Sequence, residues 1–159
     1  VMLDEGLARV YTFKDNRACA AELLASERMA RAGERGIWAD PFYAVRDAAN
    51  ADDLNRLAGR FEIVEGTVQS AAPVRGRLYL NFGADYRSDF TVTVSERDLR
   101  VFRQDDRWAV LLQGEQDRSR GLEHLNGERV RVRGWLSRNN GPEIVVTHPE
   151  QIEFTGPGD

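Results

Sequence analysis

Two stretches of the chain carry side chains of the types that hold a flat, negatively charged ligand. From Gly76 to Gly83 polar and apolar residues alternate strictly, with Leu78, Leu80 and Phe82 pointing one way and Arg77, Tyr79 and Asn81 the other. Thr91 and Thr93 face outward on the next alternating run, and Tyr86 and Arg87 stand in the turn between the two runs. Aromatic rings stack on planar groups, and guanidinium groups contact phosphates. The second stretch is RVRVRGWL, residues 129–136, where Arg129, Arg131, Arg133 and Trp135 alternate with Val130 and Val132. Three arginines and a tryptophan on one strip suit phosphate tracking and stacking. The plainer reading is that such side chains lay their apolar stems over neighbours and keep a half-exposed strand soluble. Trp135 has the further option of lying under a helix.

Other chemistry is poorly served. His124 and His148 have no carboxylate or histidine partners at ligand spacing, and zinc needs three or four converging ligands. Cys19 is the single cysteine, which excludes an internal disulfide and a cysteine metal cluster. With no histidine beside it, it reads as packed rather than reactive. Glu22, Glu27 and Glu34 stand at ion-pair spacing from Arg28 or Arg31 and read as a solvated helix face. Neither a glycine-rich phosphate loop nor a Ser/His/Asp order is present.

The elements that must position these residues are mostly strands. Phe61 to Val94 predicts three antiparallel strands, with Phe90, Val92 and Val94 repeating the period after the turn-rich GADYRSD. Arg129 to Leu136 and Glu143 to Thr147 supply two more, separated by a turn at Asn140-Gly141-Pro142. Between them, in 95–128, Ser95 with Asp98 makes a variant capping box. Trp108 to Leu112 is an apolar cluster, either more helix or an added strand. Three strands, a helical connection and two strands is the order of a five-stranded Greek-key barrel, the OB-fold. The predicted class is therefore mainly β with helices (α+β).

Upstream, VMLDEG reads as the last turn of a helix ending at Gly6, and Leu7 to Phe13 as a short strand. Asp15-Asn16 offers a turn, and the alanine-rich stretch from Arg17 predicts a helix to about Gly33–Gly36. On it Cys19, Leu23, Ser26, Ala30 and Gly33 make a small-residue face, and Ile37 and Trp38 anchor its end before Asp40-Pro41. The expected division is 1–40, an ordered connector at 41–60 with a short helix in 47–57, and a barrel over 61–155. The last residues, 156–159, should fray.

The 159 residues are 42% hydrophobic and 30% charged, as in a globular domain. No apolar run approaches the roughly 20 residues of a membrane span, so no membrane partner is expected. Twenty-two basic residues, a single one of them lysine, stand against 26 acidic ones, for a net charge of −4. That balance weighs against strong non-specific DNA binding, which comes from phosphate neutralisation. The arginine bias fits a GC-rich bacterial genome, and the compartment, exported or cytoplasmic, stays open. The chain opens at Val1 rather than Met, so a preceding part is expected.

GLARVYTFK followed by ELLASERMARAGERGIWAD resembles the C-terminal portion of the thermonuclease (staphylococcal nuclease-like) family. Gly6, Leu7, Ala8, Arg9, Val10, Ser26, Glu27, Ile37 and Trp38 carry the likeness, over roughly the first 40 residues. The resemblance implies that 1–40 is the last strand and helix of a nuclease barrel. The calcium-binding carboxylates, the catalytic glutamate and the catalytic arginines would then lie upstream of this chain. It therefore implies no catalytic residue and no metal or other cofactor here, with calcium confined to the upstream site. Tyr11, Phe13 and Lys14 match positions near the bound nucleotide, with Phe13 where a tyrosine is usual, and half a site binds little. Residues 61–154, with GRLYLNFG, DFTVTV, GERVRVRGWL and GPEIVVTHPEQIEF, resemble OB-fold nucleic-acid-binding modules attached to bacterial nuclease-like proteins.

The leading expectation is a non-catalytic module binding single-stranded or flexible nucleic acid. Its candidate site is Arg77, Tyr79, Asn81, Tyr86, Arg87, Arg131, Arg133 and Trp135. Its partners would be that strand and the upstream nuclease domain. A strand at 7–13 without its neighbours would leave an edge for a second copy to pair with. The alternative is a structural or interaction module whose arginines only solubilise. Convergence of Arg77, Arg87, Arg131 and Arg133 on one groove separates the two. Activity as a phosphodiesterase by this chain alone is disfavoured, since the carboxylates and arginine that such chemistry needs are absent.

Overall fold

The structure is a computed structural model that describes residues 1–113 and 122–156. Residues 114–121 of the expected connection and 157–159 of the expected fraying end lie outside the described residues. The chain divides into two compact units, Val1–Val45 and Arg46–Asp159.

In the first unit the sequence from Val1 folds as a helical turn and closes on Gly6. The Gly6 N–H bonds to the Leu3 carbonyl (3.0 Å) and the Leu7 N–H reaches back to Met2 (2.9 Å). This double closure needs a left-handed residue, and Gly6 has φ of 70°. The segment expected to be a strand, 7–13, is not one: among the described residues its β-bridging is a lone bridge from Phe13 to Asn16. The strand edge expected at 7–13 is therefore not formed. The helix that follows, α1, runs Ala20–Ala32. Its buried residues are Ala20, Leu24, Glu27 and Ala30; of the expected small-residue face Ala30 alone is buried, while Cys19, Leu23 and Gly33 are exposed.

Glu27 explains this rotation. Rather than lying on a solvated face it is fully buried, where Oε2 accepts the Val10 N–H (2.6 Å) and Oε1 accepts Arg31 Nη1 (3.0 Å). Burying a carboxylate is tolerable only with such partners. Trp38 is buried in the 3-10 turn Gly36–Ala39, with the Arg31 guanidinium 5.4 Å from its ring centre.

The second unit is α+β. Its strands are β1 (Arg46–Asp47), β2 (Phe61–Thr67), β3 (Ser70–Val74), β4 (Arg77–Asn81), β5 (Thr91–Val94), β6 (Arg129–Asn139), β7 (Gly141–Val146) and β8 (Ile152–Phe154). With α2 (Ala51–Arg56), α3 (Glu96–Phe102) and α4 (Asp106–Leu111), the described residues of this unit hold eight strands and three α-helices, where five strands, one connecting helix and a short helix in 47–57 were expected. The strands form one mixed sheet in the order β1-β2-β6-β7-β5-β4-β3, with β8 on β6.

The expected three-stranded meander from Phe61 is corrected in one respect. β3, β4 and β5 are successive antiparallel neighbours, but β2 pairs with β6. Only Val68 and Gln69 separate β2 from β3, and the chain changes partner there. The Val68 N–H bonds to Glu128 (2.9 Å) and the Gln69 N–H to Asn81 (2.8 Å). β6 changes partner too, from β2 along 129–135 to β7 along 136–139. β5 and β7 run parallel.

Alternation fixes the core. Leu78, Leu80, Phe90, Val92 and Val94 are completely buried, together with Leu99, Phe102, Val132 and Ile144. Each such side chain contributes about 1.5–3 kcal/mol, more than any exposed ion pair. Ser95 caps α3 by accepting the Asp98 N–H (3.1 Å), and its hydroxyl donates to the Asp98 carboxylate (2.9 Å). The apolar cluster at 108–112 is a second helix, because Asp105 accepts the N–H groups of Arg107 and Trp108 (both 3.1 Å). Trp108 thereby meets Phe102 edge-on at 4.9 Å and Phe154 at 5.4 Å.

Candidate nucleic-acid interface

The outward residues of β4 converge with a loop and a distant strand. Tyr79 and Asn81 of β4, Thr91 and Thr93 of β5, and Glu143 of β7 line an open concavity of about 400 Å3. Ala72 and Val74 of β3, Tyr86 of the 82–90 loop, and Asn139 and Asn140 of the β6–β7 turn complete it.

The loop that presents Tyr86 is held by its own acidic residues. Asp89 Oδ2 accepts the Asp85 N–H (2.8 Å), Asp85 Oδ1 accepts the Arg87 N–H (3.0 Å), and Ser88 Oγ donates to Asp85 Oδ2 (3.2 Å). The β6–β7 turn comes against this loop. A Cβ at Gly141 would stand 2.5 Å from the Asp89 carbonyl oxygen, so only glycine permits the approach. Both Tyr86 and Arg87 are exposed. The Arg87 guanidinium lies 5.6 Å from the Tyr86 ring centre, and its Nε donates to the Tyr86 hydroxyl at 3.4 Å. That hydroxyl and the Asp85 carboxylate push the Arg87 pKa further up, so it is a permanent cation.

Arg77 faces a different partner. Its Nη1 donates to Thr93 Oγ1 (3.3 Å), and that hydroxyl donates to Glu143 Oε1 (2.7 Å). Thr93 is 1% exposed and Glu143 6% exposed. The chain guanidinium–hydroxyl–carboxylate balances a buried negative charge with a positive one one hydroxyl away.

The β6 strip is not part of this site. Arg131 and Arg133 are buried, at 6% and 1% exposure. Arg131 Nη2 pairs with Glu65 Oε2 (3.0 Å), Arg133 Nη2 with Glu153 Oε2 (3.1 Å), and exposed Arg129 with Glu65 Oε1 (2.8 Å). The register causes this. Arg131 stands opposite Glu65 of β2 and opposite Glu153 of β8, so acidic residues flank the arginines on both sides. Trp135 is exposed but packs edge-on to its cross-strand neighbour Phe61 at 5.9 Å. The expected single groove thus reduces to Tyr79, Asn81 and Tyr86, with Arg77 and Arg87 beside them.

Sequence reasoning missed Glu143, Asn139 and Asn140. The alternation of EIVVT does put Glu143 on the face opposite Ile144 and Val146. Its place beside Thr91 and Thr93, however, depends on a parallel pairing between strands 50 residues apart. Among the described residues no group of three or more His, Cys, Asp or Glu could hold a metal ion. His148 is buried with Nδ1 2.9 Å from Thr147 Oγ1. No helix of the described residues is long and apolar enough to cross a membrane.

No family model matches the chain, and no curated protein matches it. Among solved structures it is similar to asparaginyl-tRNA synthetase from Pyrococcus horikoshii, at 18% identity over 62% of this chain, with a TM-score of 0.36. The chain spans 20% of the length of that synthetase chain. A likeness this loose carries no argument about fold or function.

Proposed function

We propose that residues 46–156 are an OB-type module that binds single-stranded nucleic acid on the face made by β3, β4, β5 and β7. In this reading β2 and β3 count as one bent strand, broken at Val68-Gln69, and the ring of five closes through β4, β5, β7 and β6. The parallel β5–β7 pair and the change of partner at Val68-Gln69 support that count.

The observation that carries the functional reading is the open concavity that holds Tyr79, Tyr86, Asn81 and Glu143 together. Two phenol rings give a base its stacking faces, while amide and carboxylate groups meet its edge. Arg87 at the rim is placed for a phosphate. The reading stands without a nuclease parent, and no catalytic step belongs to it.

A non-binding structural module is the second reading, favoured by one observation: Arg131 and Arg133 are consumed by Glu65 and Glu153. Fluorescence anisotropy with a labelled nine-nucleotide strand, at low salt and at about 0.2 M, separates the two. Binding that is lost in Tyr79→Ala/Tyr86→Ala and kept in Trp135→Ala supports the proposed face. Loss in Trp135→Ala alone moves the site to β6, and absence of binding at low salt leaves the structural module.

A further inference from the structure

A negative charge at the floor of a nucleic-acid-binding face is costly unless it has a use, because it repels the phosphates the face must attract. Glu143 is such a charge: 6% exposed, lining the concavity, with Thr93 as the one hydrogen-bond donor to its carboxylate among the described residues. Thr93 occupies Oε1, so Oε2 keeps its accepting capacity. Thr91, directly opposite Glu143 in the β5–β7 register, has a buried hydroxyl without a hydrogen-bond partner among the described residues, and it lines the same concavity. Both groups are polar, nearly enclosed and not fully used by the protein itself. Buried polar atoms of that kind indicate a missing ligand atom.

The chemistry of the missing atom follows. An ionised carboxylate only accepts hydrogen bonds. On the proposed face, on which this inference rests, the ligand edge reaching Glu143 must therefore donate. We infer that Glu143 selects nucleobases that carry an exocyclic amino group over thymine and uracil. The exocyclic amino group lies in the plane of the base, and the one of its two N–H bonds that points away from the ring nitrogen can meet Oε2. Thymine and uracil offer a single ring N–H between two carbonyl oxygens, both of which the carboxylate repels. The Thr91 hydroxyl can donate to the adjacent ring nitrogen of cytosine or adenine. Arg77, acting through Thr93, positions Glu143 without touching the base.

The experiment compares labelled dC9 with dT9, two pyrimidine strands of equal length, by anisotropy at low salt. A third strand carries N4,N4-dimethylcytosine, which removes the donors without altering the protein. The expected result is dC9 bound about tenfold more tightly than dT9, the size of one charge-assisted hydrogen bond. The dimethylated strand should fall to the dT9 level, and Glu143→Gln should bring dC9 and dT9 to within about twofold. Equal binding of dC9 and dT9 by the natural protein overturns the selection and leaves the proposed face standing. A preference that survives both Glu143→Gln and dimethylation overturns it as well. If none of the strands binds, the selection and the proposed function fall together.

Discussion

Thr93 Oγ1 donates a 2.7 Å hydrogen bond to Glu143 Oε1, although the two residues are 50 positions apart in the chain. Because Arg77 also bonds to that hydroxyl, one threonine ties β4, β5 and β7 together under the concavity. The shape of the candidate site thus depends on a parallel strand pair that closes late in the sequence. Its stacking surface, in contrast, comes from β4 and the loop that follows it.

The stacking surface makes the first prediction. Removal of a ring on which a base stacks costs about 1–3 kcal/mol, or roughly five- to 150-fold in affinity. Tyr79→Ala and Tyr86→Ala should each weaken oligonucleotide binding within that range. Tyr86 is 58% exposed, so its loss should leave the urea midpoint unchanged. Titration over a range of salt concentrations adds an independent check. With Arg87 as the phosphate contact, the slope of log affinity against log salt should be shallow, about −0.7 for each contact on a single strand. A slope several times steeper would mean that a different, more basic surface is in use.

The second prediction concerns the arginines of β6. Arg131 and Arg133 sit beside Glu65 and Glu153 with little solvent on either partner. Removal of one member of a buried pair leaves an uncompensated charge, which costs about 3–5 kcal/mol. Glu153→Ala should therefore lower stability by that order, read from the urea midpoint of the second unit. Replacement of the charges together by apolar residues of similar volume should cost much less. Oligonucleotide affinity of any folded variant in this cluster should match that of the natural protein.

Legibility from sequence followed the range of the interactions. The faces of β4 and β5 were readable because a strand alternates with period two, and Leu78, Leu80, Val92 and Val94 are all buried. Caps were readable because Ser95 and Asp98 are neighbours in sequence. The same alternation misplaced Arg131 and Arg133. It says that they oppose Val130 and Val132, but not that β2 and β8 bring Glu65 and Glu153 to that face. Leu7–Phe13 is apolar enough for a strand, yet a strand needs neighbouring strands, and the β-bridging of this segment among the described residues is the Phe13–Asn16 bridge. The burial of Glu27 is hidden from the sequence for a related reason. Spacing to Arg31 is visible in the sequence, whereas acceptance of the Val10 N–H from 17 residues away is not.

That Glu27 contact makes the third prediction. The carboxylate is wholly buried and bonded to both Val10 and Arg31, so Glu27→Ala should cost about 3–5 kcal/mol in the first unit. Glu27→Gln keeps an acceptor oxygen and should cost less. Amide hydrogen exchange gives the readout: protection of the Val10 N–H should fall sharply in the alanine variant and only partly in the glutamine variant. Unchanged protection in both would show that this hydrogen bond does not hold the segment.

Cys19 gives the fourth prediction, one of pH dependence. Its exposure suggests ready alkylation, but the Glu22 carboxylate bonds to the thiol and repels the thiolate, so the pKa is raised above the ordinary thiol value. Only the thiolate reacts. A raised pKa means a smaller thiolate fraction at a given pH near neutrality, so iodoacetamide should label Cys19 more slowly than it labels a short unstructured cysteine peptide. The labelling rate should climb with pH and reach its plateau at a higher pH than that of the peptide. Glu22→Gln removes the negative charge, favours the thiolate, and should move the whole rate profile to lower pH. A profile that coincides with the peptide's in both proteins would show that Glu22 exerts no hold on the thiol. A shift in the natural protein that persists in Glu22→Gln would show that the Glu22 carboxylate is not its cause.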